Sequence, residues 1–184
     1  MTGSKGPTLD ELFDGVGYSA FRWEGRLSYA VGGAEAERIE AWRQHQPRPE
    51  RSVRTNAYLR RIAAQTLAGV QWQRVTLRCD PPTEYHRYRL AGDLESQAAG
   101  EQVLVLPAEG TYTAAVGGDF WLLDYDTDHA RAALMNYTPD GAFDGFRLVD
   151  DPTRLAELDR WRAELVVAAV PLNTYVAGQE RIGA

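Results

Sequence analysis

Residues 120–149 read FWLLDYDTDHARAALMNYTPDGAFDGFRLV, and this stretch decides the expected fold class. Its segments 120–126, 131–137 and 142–149 read as three strands. Between the last two, Thr138-Pro139-Asp140-Gly141 has hairpin chemistry: proline fixes one φ and glycine accepts φ > 0. The connections are too short for helical crossovers, so the three strands should form an antiparallel meander. Asp151-Pro152 then opens a helix, with proline in its favoured first turn. Leu155, Leu158, Trp161, Leu165 and Val166 give that helix an apolar stripe. It should cover one face of the sheet, with Trp161 in the core.

Upstream, the chain alternates between helical and extended patterns. Thr8 and Glu11 have the spacing of a capping box, which predicts a short helix ended by Gly15 and Gly17. Phe21, Trp23, Leu27 and Tyr29 favour an extended segment. Residues 34–44 and 51–68 read as helices, separated by the turn His45-Gln46-Pro47-Arg48-Pro49. Residues 70–78 alternate as a strand, although neither side of it is cleanly polar. Residues 83–91 read as a helix with Thr83 as a cap, and residues 101–106 as a short strand. Pro171 ends the last helix, and a turn through Tyr175 precedes the tail. The expected fold class is α+β: a single domain with an antiparallel three-stranded C-terminal meander covered by a C-terminal helix, and a mixed helical N-terminal part. Residues 1–7 form a disordered leader, 8–177 the domain and 178–184 a frayed tail.

With 184 residues, 44% apolar and 25% charged, the chain is large enough for one full core. A single cysteine, Cys79, excludes an intrachain disulfide and fits a reducing compartment. No apolar run approaches the roughly 20 residues that span a bilayer, so a cytoplasmic protein with no membrane partner is expected. The net charge of −6 is unevenly spread. Residues 38–89 hold eleven arginines and four acids, a net of +7, which leaves −13 for the rest. Such a division arises from binding a polyanion or from attraction between two parts of one domain.

Several short segments, taken in order, resemble a family. They are Leu9-Asp10-Glu11-Leu12-Phe13 with Ala20-Phe21-Arg22, then Ala99-Gly100-Glu101 leading to Leu106-Pro107. Asp119-Phe120-Trp121-Leu122-Leu123-Asp124 follows, with Leu148-Val149-Asp150-Asp151-Pro152 and Trp161-Arg162 after it. Together they resemble an actinobacterial family of uncharacterised proteins, known as a domain of unknown function. The resemblance spans nearly the whole chain. It implies an actinobacterial host and genes often placed near helix-turn-helix regulators, some of them recruited into specialised metabolism. It implies no settled chemistry.

Candidate site residues fall into two groups. Arg48, Arg51, Arg54, Arg60 and Arg61 surround the second helix and offer planar forks for phosphate or carboxylate. Tyr85, His86, Arg87, Tyr88 and Arg89 combine aromatics, an imidazole and two cations, and such groups stack bases and bind phosphate. His86 is the one candidate general base. Asp124, Asp126 and Asp128 begin like a calcium loop, but His129 stands where glycine is required and Met135 where glutamate is. No metal and no cofactor is expected. Cys79 reads as a structural thiol, since Arg78 beside it points the opposite way on a strand. Two functions follow. The first is a non-catalytic binding or regulatory accessory protein with an anion-binding arginine-rich face, partnered by a protein or a small effector. The alternative is a small transferase of specialised metabolism using an anionic donor, aminoacyl-tRNA or another polyanion.

Overall fold

The computed structural model describes residues 6–107 and 118–182. Helix α1 spans Leu9–Asp14, with the Thr8–Glu11 capping box in place. Strand β1 is Ser19–Glu24. Helices α2 (Gly33–Arg43) and α3 (Ala57–Leu67) lead to β2 (Gln71–Arg78). Helix α4 (Glu84–Ala98), capped by Thr83, leads to β3 (Gln102–Pro107). Strands β4 (Phe120–Leu123), β5 (Arg131–Tyr137) and β6 (Phe143–Val149) follow. Helix α5 (Pro152–Ala168) is capped by Asp151, and β7 (Val170–Pro171) runs into α6 (Leu172–Ile182).

The expected fold class is wrong in its central point. The antiparallel meander β4–β5–β6 exists, but it is one wing of a seven-stranded mixed sheet in the order β6-β5-β4-β1-β2-β3-β7. Strand β1 joins the two wings. It pairs antiparallel with β4, Phe21 opposite Leu122, and parallel with β2, Phe21 opposite Gln73. Strands β2 and β3 are also parallel. The mixed helical N-terminal part is therefore no separate layer: α2, α3 and α4 are the crossovers that parallel strands require. The mixed polarity of β2 has the same cause, for a central strand is covered on both faces.

Two large apolar clusters flank the sheet, and a smaller one joins Val103 and Val105 of β3 to Leu172 of α6. Phe21, Trp23, Val75, Leu77, Phe120 and Leu122 meet Leu158 and Leu165 of α5 on one face. Ala20, Trp72, Trp121 and Leu123 meet Phe13 of α1 and Leu59 and Ile62 of α3 on the other. Three local expectations also shift. The second helix begins at Ala57 rather than residue 51, because Asn56 caps it by accepting from the Leu59 amide at 3.0 Å. The strand expected over 120–126 stops at Leu123. Asp124 and Asp126 turn into positive φ, and the Asp124 carboxylate accepts from the backbone amides of Gly17, Tyr18 and Ser19. Helix α6 occupies the stretch read as turn and tail. Residues 1–5 of the expected leader lie outside the described residues.

The hairpin turn forms as read: Gly141 has φ +89° and its amide donates to the Thr138 carbonyl at 2.9 Å. Gly141 also carries a close approach, since its carbonyl accepts from the Ala30 amide at 3.0 Å. A Cβ there would lie 3.2 Å from that amide nitrogen and 3.4 Å from the Tyr29 Cα. Gly141→Val therefore combines a left-handed β-branched residue with backbone crowding, and it should cost about 2–3 kcal/mol in urea unfolding. A loss below about 1 kcal/mol would mean the turn absorbs the side chain.

Candidate functional site

Side chains alternate along β1 and β2, so the neighbours of Phe21, Trp23, Val75 and Leu77 face the helical crossovers. Near the strand starts those neighbours are Ala20 and Trp72. Near the strand ends they are Arg22, Glu24, Arg74, Thr76 and Arg78. The layer between sheet and crossover helices thus changes from apolar to ionic along the strands. Its charges are paired. Arg74 grips Glu101 with two bonds, 3.0 and 3.1 Å, reaches Glu24 at 3.1 Å and donates to the Tyr58 hydroxyl at 3.2 Å. Arg22 donates to Asp119 at 3.0 Å and to the Tyr137 hydroxyl at 2.8 Å. Asp119 also accepts from the Tyr29 hydroxyl at 2.5 Å and the Gly25 amide at 2.9 Å. Asp93, fully buried, bridges Arg78 and Arg89.

This pairing decides the protonation states. Burial alone would raise the Glu24 carboxyl, but Arg74, Arg89 and Arg22 hold it well below its ordinary range. Burial and the nearby Glu24 and Asp119 push Tyr29 far up, so it stays a donor.

Over this layer lies a cavity of about 310 Å³. Its walls are α2, residues 49–56, the start of α3 and α4, with Arg38, Arg51, Tyr58, Tyr88 and Arg89 among the lining groups. Tyr58 and Arg89 connect it to the ionic layer through Arg74 and Glu24. One carboxylate serves three guanidinium groups at its edge. Arg38 binds both oxygens of Glu95 at 2.8 Å, Arg51 reaches the same group at 3.4 Å and Arg48 at 3.9 Å. Arg51 is only partly compensated by this shared carboxylate. Its pKa is lowered by burial first and then by the charges of Arg89 and Arg74, with Glu95 opposing. Its other acceptors are the Gly92 carbonyl at 3.1 Å and the Ser96 hydroxyl at 3.4 Å.

The sequence candidates do not share one surface. Arg51 and Tyr88 line the cavity, and Arg48 stands behind Glu95. Arg54 is exposed and pairs with Glu50 at 3.2 Å. Arg60 donates to the Val53 and Arg54 carbonyls. Arg61 turns to α1, where it binds Asp10 and Asp14 at 2.9 Å each. Along α4, Tyr85 packs on Tyr29 at 5.8 Å and Arg87 donates to the Pro82 carbonyl at 2.8 Å. His86 is buried away from the cavity, and burial, then Arg78, lowers its pKa to about 4 against the pull of Asp93. Arg38, Tyr58 and Glu95 are site residues that sequence reading missed, while Arg89 was read as part of the Tyr85-to-Arg89 segment. The signal of Arg38 was weak: it begins the +7 segment without belonging to any motif.

The attraction between charged parts is real. The arginines pair with Asp10, Asp14 and Glu24 on the amino-terminal side of the chain, with Glu84, and with Asp93, Glu95 and Glu101 in its second half.

Fold and site together define a mixed α/β protein with an ion-paired layer between its parallel strands and the crossover helices, and a polar cavity above it. The chain belongs to the family described as Domain of unknown function (DUF6879), whose model matches residues 7–177. No curated protein matches it. Among the described residues no helix is long and apolar enough to cross a membrane.

Proposed function

We propose that the protein is a non-catalytic binding protein for a small anionic effector, held in the cavity between α2 and α4. The observation that carries this reading is the sharing of Glu95 by Arg38, Arg48 and Arg51. A buried guanidinium with too little counter-charge is stabilised by an incoming phosphate or carboxylate, which accepts planar, charge-assisted bonds. An accessory or regulatory role in an actinobacterial host, the setting that the resemblance implies, suits a small-effector site. The transferase alternative draws less support. Arg54, Arg61 and Arg87 point to separate faces and offer a long RNA no continuous track.

Calorimetric titration with inorganic phosphate, pyrophosphate and citrate at low salt tests the reading. At least one of them should bind with a 1:1 stoichiometry. Arg51→Gln should weaken that binding about tenfold or more, the worth of a charge-assisted bond, while Arg54→Gln leaves it unchanged. No binding by any of the three, or equal binding by Arg51→Gln, rejects the cavity as an anion site. A parallel titration with tRNA and duplex DNA at two salt concentrations separates the polyanion alternative, whose affinity would fall steeply with salt.

A further inference from the structure

Strand β6 forms one end of the sheet, and among the described residues nothing pairs with its outer edge. The other end is protected by shortness, since β7 has two residues, whereas β6 presents seven. Phe143 and Leu148 stand 52% and 41% exposed along it. A bulge decides which way they face. Tyr137 opposes Phe143 and Met135 opposes Phe146, so Asp144 and Gly145 together fill the single position across from Asn136, with Gly145 at φ +84°. The bulge therefore brings Phe143 into phase with Phe146 and Leu148 on one face, the face that α1 and α3 cover. Asp144 and Arg147 fall on the other face. Both are exposed, and neither forms a salt bridge among the described residues.

The backbone keeps the same phase. The Met135 amide donates to the Asp119 carbonyl at 2.9 Å, so Met135 directs its polar groups to β4. Phe146, opposite it, then turns its N–H and C=O to the open edge, and so does Leu148 two residues on. At the other end of the strand the Thr138 amide donates to the Ala142 carbonyl at 2.9 Å. Ala142 thus faces inward, and Phe143 after it faces the open edge.

We infer that β6 is a dimerisation edge whose partner is β6 of a second copy, antiparallel about a two-fold axis at Phe146. Such a contact is self-complementary, with the same strand on both sides. It sets Phe146 against its own copy, Phe143 against Leu148 of the second copy, and Asp144 against Arg147. The outward-turned residues meet one another, so each of these apolar pairs exchanges backbone bonds in both directions. The exposed apolar side chains then cover each other on one face, and the opposite charges meet on the other. The charges also fix the register. Shifting the axis one position either way sets Arg147 against its own copy or Asp144 against its own, and like charges directly opposite are unfavourable.

Sedimentation velocity of the full chain over a concentration series is the test. One strand pair makes a small interface, so a Kd of about 10 μM is expected, and at about 200 μM the dimer mass should dominate. Arg147→Asp and Asp144→Arg each replace the opposite charges by like ones and should weaken association about tenfold or more. Both positions are exposed, so the thermal melts of the variants should match that of the wild type. Mixed in equal amounts, the two variants should form a heterodimer as tight as the wild-type dimer, because each presents the charge that the other lacks. A wild-type chain that stays monomeric overturns the proposal and leaves the edge to a strand from another protein. A dimer that either folded variant leaves unweakened, or a mixture that associates no better than its components, overturns the β6 pairing.

Discussion

Asp93→Asn should destabilise the fold by about 3–5 kcal/mol, the cost of removing one partner from a buried ion pair. Asp93 is fully buried and its two oxygens serve different cations, Arg78 and Arg89. Arg78 is itself 4% exposed and pairs with no other acid among the described residues. The asparagine keeps the shape and deletes the charge, so one guanidinium is left in a low-dielectric layer without compensation. Arg89 retains Glu24 and Glu35, each at 3.7 Å. For a chain of this size the loss corresponds to a Tm lower by roughly 10 °C. Equilibrium urea unfolding gives the free energy directly, and a loss below about 1 kcal/mol would show that water already reaches the pair. The double variant Asp93→Leu with Arg78→Met should recover much of the stability, because an apolar pair of similar volume removes the desolvation cost altogether.

Acid acts on the same layer with a defined sign. The folded Glu24 carboxyl titrates well below its ordinary value near 4.5. The unfolded chain therefore binds more protons, and stability is present above about 4.5 and lost as pH falls below it. The ionic layer thus has a second role beside the cavity. It fixes Tyr58 and Arg89 in the cavity floor through Arg74 and Glu24, so the binding surface is organised before a ligand arrives.

Local signals were legible wherever a few neighbouring residues settle the backbone. Thr8 with Glu11, Thr83 and Asp151 cap their helices as their spacing implies, and Thr138 to Gly141 turn the chain as proline and glycine require. Strand pairing beyond the local meander was not legible, because it depends on partners far along the chain. Nothing in Ser19 to Glu24 states that the strand lies between β4 and β2. Arg22, Glu24, Arg74 and Arg78 did leave a trace, as charges at alternate positions of segments too apolar for an edge. That trace has two readings, a solvated face or a buried ionic one, and only the crossover helices decide between them. The contact of Cys79 with His86, 3.6 Å from Sγ to Nδ1, was missed for a related reason. Strand geometry excludes Arg78 as a partner, but the turn after β2 brings the first turn of α4 back over the thiol.

The apolar stripe of α5 gives the last expected result: Leu158→Ala should cost about 2–5 kcal/mol and Trp161→Ala distinctly less, about 1–2 kcal/mol. Sequence spacing placed Trp161 in the core, and its size made it the obvious anchor. The structure instead makes it half-buried at the rim of the cluster, whereas Leu158 and Leu165 are completely buried. Helical geometry explains the order. At about 100° per residue, Leu165 lies within about 20° of Leu158, while Trp161 sits about 60° to one side. Leu155 and Val166 fall on the opposite flank, and both are also only partly buried. The two leucines therefore point straight at Phe21, Val75 and Phe120, and the three flanking residues close the edges. Removing Leu158 leaves a cavity that rigid strands cannot fill. Removing Trp161 opens a groove that water enters, so only part of its transfer free energy is lost. Thermal melts of the two variants decide the matter. A larger loss for Trp161→Ala than for Leu158→Ala would return the indole to the centre of the core and displace the leucines from it.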